Sequence, residues 1–373
     1  GLSKLFPLAG TQVSAAYSTT PSLSRTDNTS DFTFSLTQPI AQNAFGRSTR
    51  MLDKIVGLEV AVARHQIVEA YEDYFAALIS AYYDWYEAYE NVDVARSAYK
   101  ENRKLLDNIK ERRKSNIALP IDVNKTHRQV LAKQETLTRL EEEYKKTENI
   151  IITAMRYSGS GEIIPERPGL YSETEIDFEN DFAMLYDEGR TFQILRFLEE
   201  KSDLDLARSA DTLLPSINLK IGYTTEGAEH DLEDSDSLLY ASVNLAYPFF
   251  DQVDRAQYET DKITRDKTRL TTTNVYYRLY TELRNLALAV QREQNLLKIA
   301  EEKIMLARSV LEEEARNYSF GKITLNDYIQ AVNAFDTNRF NKVAREVQLK
   351  RLILEWLRLT DSIINERYER VER

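Results

Sequence analysis

The stretch Tyr318–Ala331 reads YSFGKITLNDYIQA and separates two long helical patterns. It carries a stop signal followed at once by a start signal, because Gly321 can adopt the left-handed conformation that ends a helix and Thr324 is a good N-cap residue. Asp327 follows three residues later and favours the positive end of the next helix. The stretch therefore predicts two helices that reverse direction and run antiparallel.

A similar turn occurs about two hundred residues earlier, in Arg113–Val123, which reads RKSNIALPIDV. Asn116 takes the place of the glycine, and Pro120 lies at the first position of the next helix. Asp122 corresponds to the aspartate of the later turn. The chain is therefore organised around two copies of one helical hairpin.

Other landmarks repeat at nearly the same separation. Three matched pairs lie 208, 209 and 205 residues apart, and they are Pro7 with Pro215, Pro39 with Pro248, and Asp122 with Asp327. This agreement indicates an internal duplication. A repeat of this length constrains the whole fold, so it carries more weight in the fold prediction than any local motif. Each half reads strand, loop, strand, very long helix, tight turn and long helix.

Helical periodicity predicts the long elements. The predicted helices cover residues 51–113, 121–157, 190–211, 254–318 and 325–360. The first has roughly sixty residues, which corresponds to about 90 Å of helix. Residues 158–189 contain several glycines and prolines, and they predict an irregular insert.

Four segments alternate between apolar and small polar residues, as strands do: residues 11–17, 31–40, 214–223 and 239–247. The apolar face consists of Val13, Tyr17, Phe32, Phe34, Leu36, Ile217, Leu219, Ile221, Tyr223, Val243, Leu245 and Tyr247. Strands of this kind suit a membrane β-barrel, whose closure removes unpaired edges. Four strands are too few for a barrel, so several chains would contribute. A soluble sheet packed against helices remains the alternative, and Tyr17, Tyr223 and Tyr247 fit either an interfacial aromatic belt or ordinary strand packing.

Composition restricts the classes of function. The 373 residues carry a net charge of -11 and no basic stripe, which argues against a nucleic-acid partner. The absence of cysteine excludes disulfides and thiolate chemistry. No run of about 18 apolar residues occurs, so no transmembrane helix is expected.

The residues give no sign of catalysis. The three histidines, His65, His127 and His230, are far apart in sequence, and no zinc-protease, serine-hydrolase or phosphate-loop motif occurs. Carboxylates lie on charged helix faces, the usual solvated arrangement. We therefore expect no enzyme activity, no cofactor and no metal centre. The tyrosines that cluster in the long helices are expected to pack between helices: Tyr82, Tyr83, Tyr86, Tyr89, Tyr276, Tyr277 and Tyr280.

The later turn resembles the TolC family of outer-membrane efflux and secretion channels. The family pattern there is Tyr-x-x-Gly, five residues, Asp, two residues, Asp-Ala, and this chain has Tyr318, Gly321, Asp327 and Ala331. Residues 118–123 resemble the other turn of the family. The resemblance extends from about Pro7 to Leu359.

The resemblance implies a mainly α fold with a β-barrel portion. Three copies would form a twelve-stranded outer-membrane barrel, four strands from each, and a periplasmic helical tunnel. Strands at 7–40 and 212–250 would form the barrel, and helices at 44–157 and 252–360 the tunnel. Residues 158–211 would be an equatorial insert with a short helix, and 361–373 a C-terminal tail. The family also has a helix before its first strand. Either that segment has been trimmed or lies outside this numbering, which we expect, or the tunnel wall of this chain is incomplete.

The implied function is a passive exit duct in the outer membrane of a Gram-negative bacterium, extending into the periplasm. It would serve a tripartite efflux pump or a type I secretion system, and docking of a periplasmic adaptor and an inner-membrane pump would open it at the helix turns. The residues implied at the docking tip are Asn116, Ala118, Leu119, Pro120, Ser319, Gly321 and Thr324. Those implied at the aperture are Asp327, Gln330, Asp122 and Lys322.

Two departures from the family affect the aperture. Family members carry two aspartates there that form acidic rings; Asp327 occupies the first position, but Gln330 occupies the second. The family also has a basic residue two positions after the glycine that helps to close the tip. Here that position is Ile323, with Lys322 beside it, so a different link is expected.

The physical interpretation of Asp327 does not need the family. Three copies near a pore axis would repel one another, which raises some of their pKa values and attracts cations. Asp327 and Asp122 could instead serve only as helix caps. The alternative function for the whole chain is a soluble helical coiled-coil scaffold or adaptor without a pore.

Overall fold

The computed structural model describes residues 1–20, 29–159, 161, 163–169, 176–228, 236–247 and 251–364. The strands are β1 (Leu2–Phe6), β2 (Thr11–Thr20), β3 (Thr29–Pro39), β4 (Ser216–Ala228) and β5 (Asp236–Ala246). The helices are α1 (Arg47–Lys114), α2 (Pro120–Ala154), α3 (Phe178–Glu188), α4 (Arg190–Thr212), α5 (Gln252–Ser319) and α6 (Leu325–Leu359). None of these helices is both long and apolar enough to cross a membrane.

The duplication is confirmed by the lengths of the helices. Both α1 and α5 contain 68 residues, and both α2 and α6 contain 35. The five helices expected from periodicity are confirmed to within a few residues at each end. Long runs without proline allow this accuracy, because backbone hydrogen bonding then continues until a terminating residue is reached.

Two predictions were wrong. The sheet has five strands among the described residues, because Leu2–Phe6 pairs with the start of β2 as an exposed edge strand. It is held by backbone hydrogen bonds rather than by burial, so no alternation marks it.

The insert is also not irregular throughout, since α3 occupies 178–188. Asp177 caps α3 by accepting a hydrogen bond from the Asn180 backbone N–H, and the buried Phe182 packs edge-on against Tyr280. Pro248, His230 and the predicted tail beyond 364 lie outside the described residues.

The chain forms two compact units. The first comprises Gly1–Ile67 and Arg190–Tyr277 and contains the antiparallel sheet, in the order β1-β2-β3-β4-β5. Asp211, at the end of α4, is almost fully buried there and accepts hydrogen bonds from the Asn43 backbone N–H at 2.7 Å and from the Arg47 guanidinium at 2.6 Å. This carboxylate fixes the connection between β3 and α1, because a buried charge is stable only with such partners.

The second unit comprises Val68–Gly189 and Arg278–Arg373, and its core lies between helices. Side chains of α1 and α6 form one cluster, those of α1 and α2 a second, and those of α5 and α6 a third. Tyr83 and Tyr86 are buried in the first cluster, and Tyr89 packs against Tyr144, as expected for tyrosines between helices. Tyr277, in contrast, belongs to the first unit and is exposed.

Candidate functional site

The first turn ends α1 with a Schellman motif. Asn116 has a φ of 60°, and its N–H donates to the Arg113 carbonyl at 3.0 Å. The Ile117 N–H reaches back to the Arg112 carbonyl at 2.8 Å. These bonds satisfy carbonyls that the end of a helix leaves without partners. Asparagine is suited to this position because its side chain tolerates the left-handed conformation.

The second turn has the same hydrogen bonds, 205 residues later. Gly321 has a φ of 71° and its N–H donates to the Tyr318 carbonyl at 3.0 Å, while the Lys322 N–H donates to the Asn317 carbonyl at 3.0 Å. Each turn therefore repeats the other's backbone, with glycine in place of asparagine. The prediction that the same helical turn occurs twice in the chain is confirmed by these matching hydrogen bonds.

Both aspartates of the turns act as helix caps. Asp327 Oδ2 accepts hydrogen bonds from the Thr324 hydroxyl at 2.7 Å and from the Thr324 backbone N–H at 3.1 Å, and the Thr324 hydroxyl accepts from the Asp327 N–H at 3.3 Å. Asp122 accepts a hydrogen bond from the Leu119 N–H at 3.1 Å, but the leucine side chain has no oxygen, so the Asp122 N–H donates to the Leu119 backbone carbonyl at 3.0 Å instead. The first turn thus has half of the capping box that the second turn completes.

The cap changes the acidity of the second aspartate. The hydrogen bond from the Thr324 hydroxyl, followed by that from its backbone N–H, lowers the pKa of Asp327. Both bonds favour the charged carboxylate. Within one chain, Asp327 is therefore an exposed and stabilised anion. Gln330, one helical turn further on, and Lys322, whose ammonium lies 5.8 Å from the centre of the Phe320 ring, are also exposed.

The structure brings together three residues that sequence analysis did not assign to a site. The Arg112 guanidinium lies 4.8 Å from the centre of the Tyr318 ring, and that ring stacks on Tyr328 at 5.6 Å. Burial raises the pKa of both phenols. This stack joins the last turn of α1 to both helices of the second hairpin. The turn motif includes Tyr318, but nothing local in the sequence connects it with Arg112.

The remaining residues expected at the tip lie where solvent reaches them. Asn116, Leu119, Pro120, Ser319, Gly321 and Thr324 are exposed, and Ala118 is half-buried. Behind the tip, α2 and α6 are joined by two polar contacts. Lys133 Nζ lies 2.6 Å from Asp336 Oδ2, and the Gln129 side-chain amide donates to Asn333 Oδ1 at 2.5 Å. The Asp336 side chain is 2% exposed, so this ion pair is largely withdrawn from water.

Three carboxylates of the second unit lie close together. Oxygens of Glu69, Glu72 and Asp361 are within 4.8 Å of one another, a spacing that a cation could bridge. Glu72 also accepts a hydrogen bond from the Ile363 backbone N–H at 2.9 Å. Clusters of this kind are common without an ion, and we assign it no function.

The sheet has two chemically distinct faces. Its register places Val13 opposite Leu36 and Leu36 opposite Ile221, and the other apolar residues predicted on β2–β5 share that face. Tyr247 follows the end of β5. The opposite face carries hydroxyl pairs, with Ser14 and Ser35 at 2.8 Å and Thr33 and Thr224 at 2.7 Å.

Exposure of the two faces is the reverse of that in a soluble sheet. In the central strands β3 and β4, Phe34, Ile221 and Tyr223 on the apolar face are 45%, 45% and 41% exposed, whereas Ser35 and Gly222 on the polar face are buried. On the edge strand β5, Leu239, Val243 and Leu245 of the apolar face are 75%, 64% and 69% exposed. A soluble protein buries its apolar face and solvates its polar one. Contiguous apolar area of this kind indicates contact with a partner or a membrane.

Comparison with known proteins gives a match to one protein family and matches to solved structures. Residues 199–354 match the outer membrane efflux protein family. Comparison with curated protein sequences gave no match.

Solved structures match over nearly the whole chain. The outer membrane protein VceC of Vibrio cholerae is 14% identical with a TM-score of 0.74, and the match covers 94% of this chain and 86% of that one. The open-state MtrE outer membrane channel of Neisseria gonorrhoeae is 12% identical with a TM-score of 0.71, covering 95% and 80%. The CmeC outer membrane channel of Campylobacter jejuni is 13% identical with a TM-score of 0.70, covering 94% and 77%.

Identities this low show a shared fold and nothing finer. The family match is independent of them, because it rests on the sequence of residues 199–354, from the second part of α4 through the last two strands and α5 to most of α6. Together with the matched turns, these findings confirm that the chain resembles the TolC-like family of outer-membrane efflux and secretion channels.

Proposed function

We propose that this chain forms a passive trimeric exit duct in the outer membrane of a Gram-negative bacterium. The observation that carries the proposal is the exposed apolar face of the sheet. Strands β2–β5 contain 10, 11, 13 and 11 residues, and about 9–11 tilted residues suffice to cross a bilayer. The apolar face would contact lipid, and the hydroxyl-rich face would line the lumen.

Three copies would provide the twelve strands that closure requires. In such a ring, β2 of one copy would pair with β5 of the next, so that no edge remains unpaired in the membrane. The short strand β1 pairs with Thr11–Ala15 only, and it would have to leave this edge when the ring closes. Among the described residues, positions 16–20 of β2 have no strand paired on that edge, so a strand of another copy could pair there.

The second turn is the proposed gate. Three copies of Asp327 around a common axis would attract cations, and their mutual repulsion would oppose the pKa decrease that Thr324 causes. Gln330 would leave the next ring uncharged. Docking of a periplasmic adaptor and an inner-membrane pump at the turns would open the aperture, and the duct itself would carry out no chemistry.

The alternative of a soluble helical scaffold is not favoured. A scaffold would use the charged helix faces that this chain has, but it would have no use for strands that present aromatic and branched side chains to the outside. Soluble proteins rarely expose a contiguous group of large apolar side chains such as Leu239, Val243 and Leu245.

A matched pair of lysine substitutions on β5 tests the membrane assignment. Val243→Lys places a charge on the apolar face, where lysine costs about 2–4 kcal/mol at the bilayer midplane and less near its edges. Asn244→Lys, on the neighbouring residue, places the same charge on the polar face, which already holds Lys220. We expect the urea midpoint of protein refolded into lipid vesicles to fall for Val243→Lys and to stay near wild type for Asn244→Lys. Equal effects, or a larger effect of Asn244→Lys, would show that the apolar face does not contact lipid.

A further inference from the structure

We infer that the two helix turns are chemically unequal docking surfaces, and that the first turn binds an acidic partner segment with an apolar centre. The inference rests on the proposed function, in which a periplasmic protein docks at the turns, and it names the chemistry of that partner. It arises from comparing the two turns position by position, which the offset of 205 residues allows.

The first turn exposes apolar side chains that are surrounded by cationic ones. Its flanking helices expose five cationic side chains, which are Lys110, Arg113, Lys114, Lys125 and Arg128. Between them, Ile117, Leu119 and Ile121 are 65%, 63% and 52% exposed. We call these eight residues the basic apex.

The second turn has none of these side chains at the equivalent positions, although its backbone is the same, and it instead exposes Phe320 beside Lys322 and Asp327. The positions equivalent to the five cations are Ala315, Tyr318, Ser319, Gln330 and Asn333, none of which is charged. The positions equivalent to the three apolar residues are Lys322, Thr324 and Asn326. Because the fold of the turn needs neither the charges nor the apolar side chains, the basic apex has another cause.

Neighbouring carboxylates neutralise only part of the basic apex. Glu111 forms an exposed ion pair with Lys114 at 2.7 Å, and Asp122 is engaged by the Leu119 backbone N–H. Among the described residues, the structure shows no such ion pair for Lys110, Arg113, Lys125 or Arg128. Further from its turn, the second hairpin carries consecutive glutamates at 312–314, and Arg316 and Lys322 are cations nearer that turn. The cations also stand out against a chain whose net charge is -11.

These features determine the chemistry of the partner. Exposed apolar side chains surrounded by charges of one sign resemble an interface, in which a desolvated centre provides affinity and a charged rim provides orientation and partner choice. The complementary surface has apolar residues at its centre and carboxylates around them. An acidic helical segment of an adaptor fits this description, and it would select the first turn over the second.

The test uses the purified protein in detergent and a fluorescein-labelled helical peptide with leucines on one face and glutamates on the other. The control peptide has lysine in place of glutamate. Fluorescence anisotropy should show that the protein binds the glutamate peptide and does not bind the lysine peptide. The affinity for the glutamate peptide should fall as the salt concentration rises from about 50 mM to about 300 mM, because salt screens the charges.

The second turn itself supplies the variant. Lys114→Ser, Lys125→Gln and Arg128→Asn together give the first turn the residues that the second turn has at those positions, so the fold should be kept. The matched control removes as many exposed charges from the middle of α5, with Arg292→Gln, Lys298→Gln and Lys303→Gln. We expect the first variant to lose about tenfold or more in affinity and the control to lose less than about twofold.

Three outcomes would overturn the inference. They are equal losses in the variant and the control, tighter binding of the lysine peptide, and binding of anionic vesicles but not of the glutamate peptide. Channel conductance of the same variant separates this inference from the proposed function. A conducting variant that loses the peptide supports both, whereas a protein that binds the peptide at the first turn but never conducts would contradict only the duct.

Discussion

At the scale of single residues, Asn116 and Gly321 end the first helix of each hairpin, and Asp327 places a negative charge at the second turn. Asn116 and Gly321 hold the same left-handed conformation, and each closes the same pair of hydrogen bonds. Both could be predicted from the sequence, because the residues that adopt this conformation readily are few. The stack of Arg112 on Tyr318 could not, since its partners come from different helices and depend on packing.

The left-handed residue of the second turn gives the first prediction. Gly321→Ala should destabilise the second hairpin by about 1 kcal/mol, because alanine is disfavoured at positive φ. A Cβ there would meet no atom within 4 Å, so the cost is conformational rather than steric. Gly321→Asn copies Asn116 and should cost clearly less. Urea unfolding of the three proteins measures the difference, and equal destabilisation by alanine and asparagine would contradict the argument.

The cap of α6 gives the second prediction. Removing the hydroxyl with Thr324→Val should raise the pKa of Asp327, because the bond that most favours the carboxylate is lost. Since the pKa of Asp327 is lowered in the folded protein, the cap stabilises α6 above the unfolded-state pKa of about 3.9, and this stability is lost as the pH falls through the folded-state pKa. Thr324→Val should move that loss to higher pH. Carboxyl chemical shifts followed from neutral pH to pH 2 would show it, and an unchanged titration would exclude the cap as the cause.

At the scale of elements, long uninterrupted helices and alternating strands could be predicted because periodicity reports which side of an element is apolar. Two elements could not. The strand β1 is exposed along its whole length, and α3 follows a segment rich in glycine and proline that suggested irregular structure. Both depend on neighbours that sequence periodicity does not contain. The face that β2–β5 share was correctly predicted, since strands that alternate in register place like residues together.

The contact between α2 and α6 gives the third prediction. Lys133→Met should destabilise the second unit by about 3–5 kcal/mol, because it leaves the buried Asp336 carboxylate without its cation. Lys133→Met combined with Asp336→Leu should recover most of that loss. Arg139→Met, which removes an exposed ion pair with Glu143, is the control and should change stability little. Unfolding by urea provides the measurement, and a double variant no more stable than Lys133→Met would refute the explanation.

At the scale of the whole molecule, the proposed duct is assembled from copies of one chain. The five strands that the structure describes form an open sheet, and the apolar face and the strand edges would be satisfied only by lipid and by further copies. The duplication is consistent with this arrangement, because two similar halves per chain would give a ring of three chains six similar hairpins. The unequal chemistry of the two turns would then alternate around the tip.

The conductance of the purified protein in a planar lipid bilayer shows whether the chain forms a duct. Wild type should show discrete, cation-selective openings that divalent cations block. Asp327→Asn, which keeps an oxygen to accept from Thr324 but removes the charge, should reduce both the selectivity and the block, whereas Asp122→Asn in the first turn should change them less. Protein that stays soluble without detergent and produces no openings would contradict the duct.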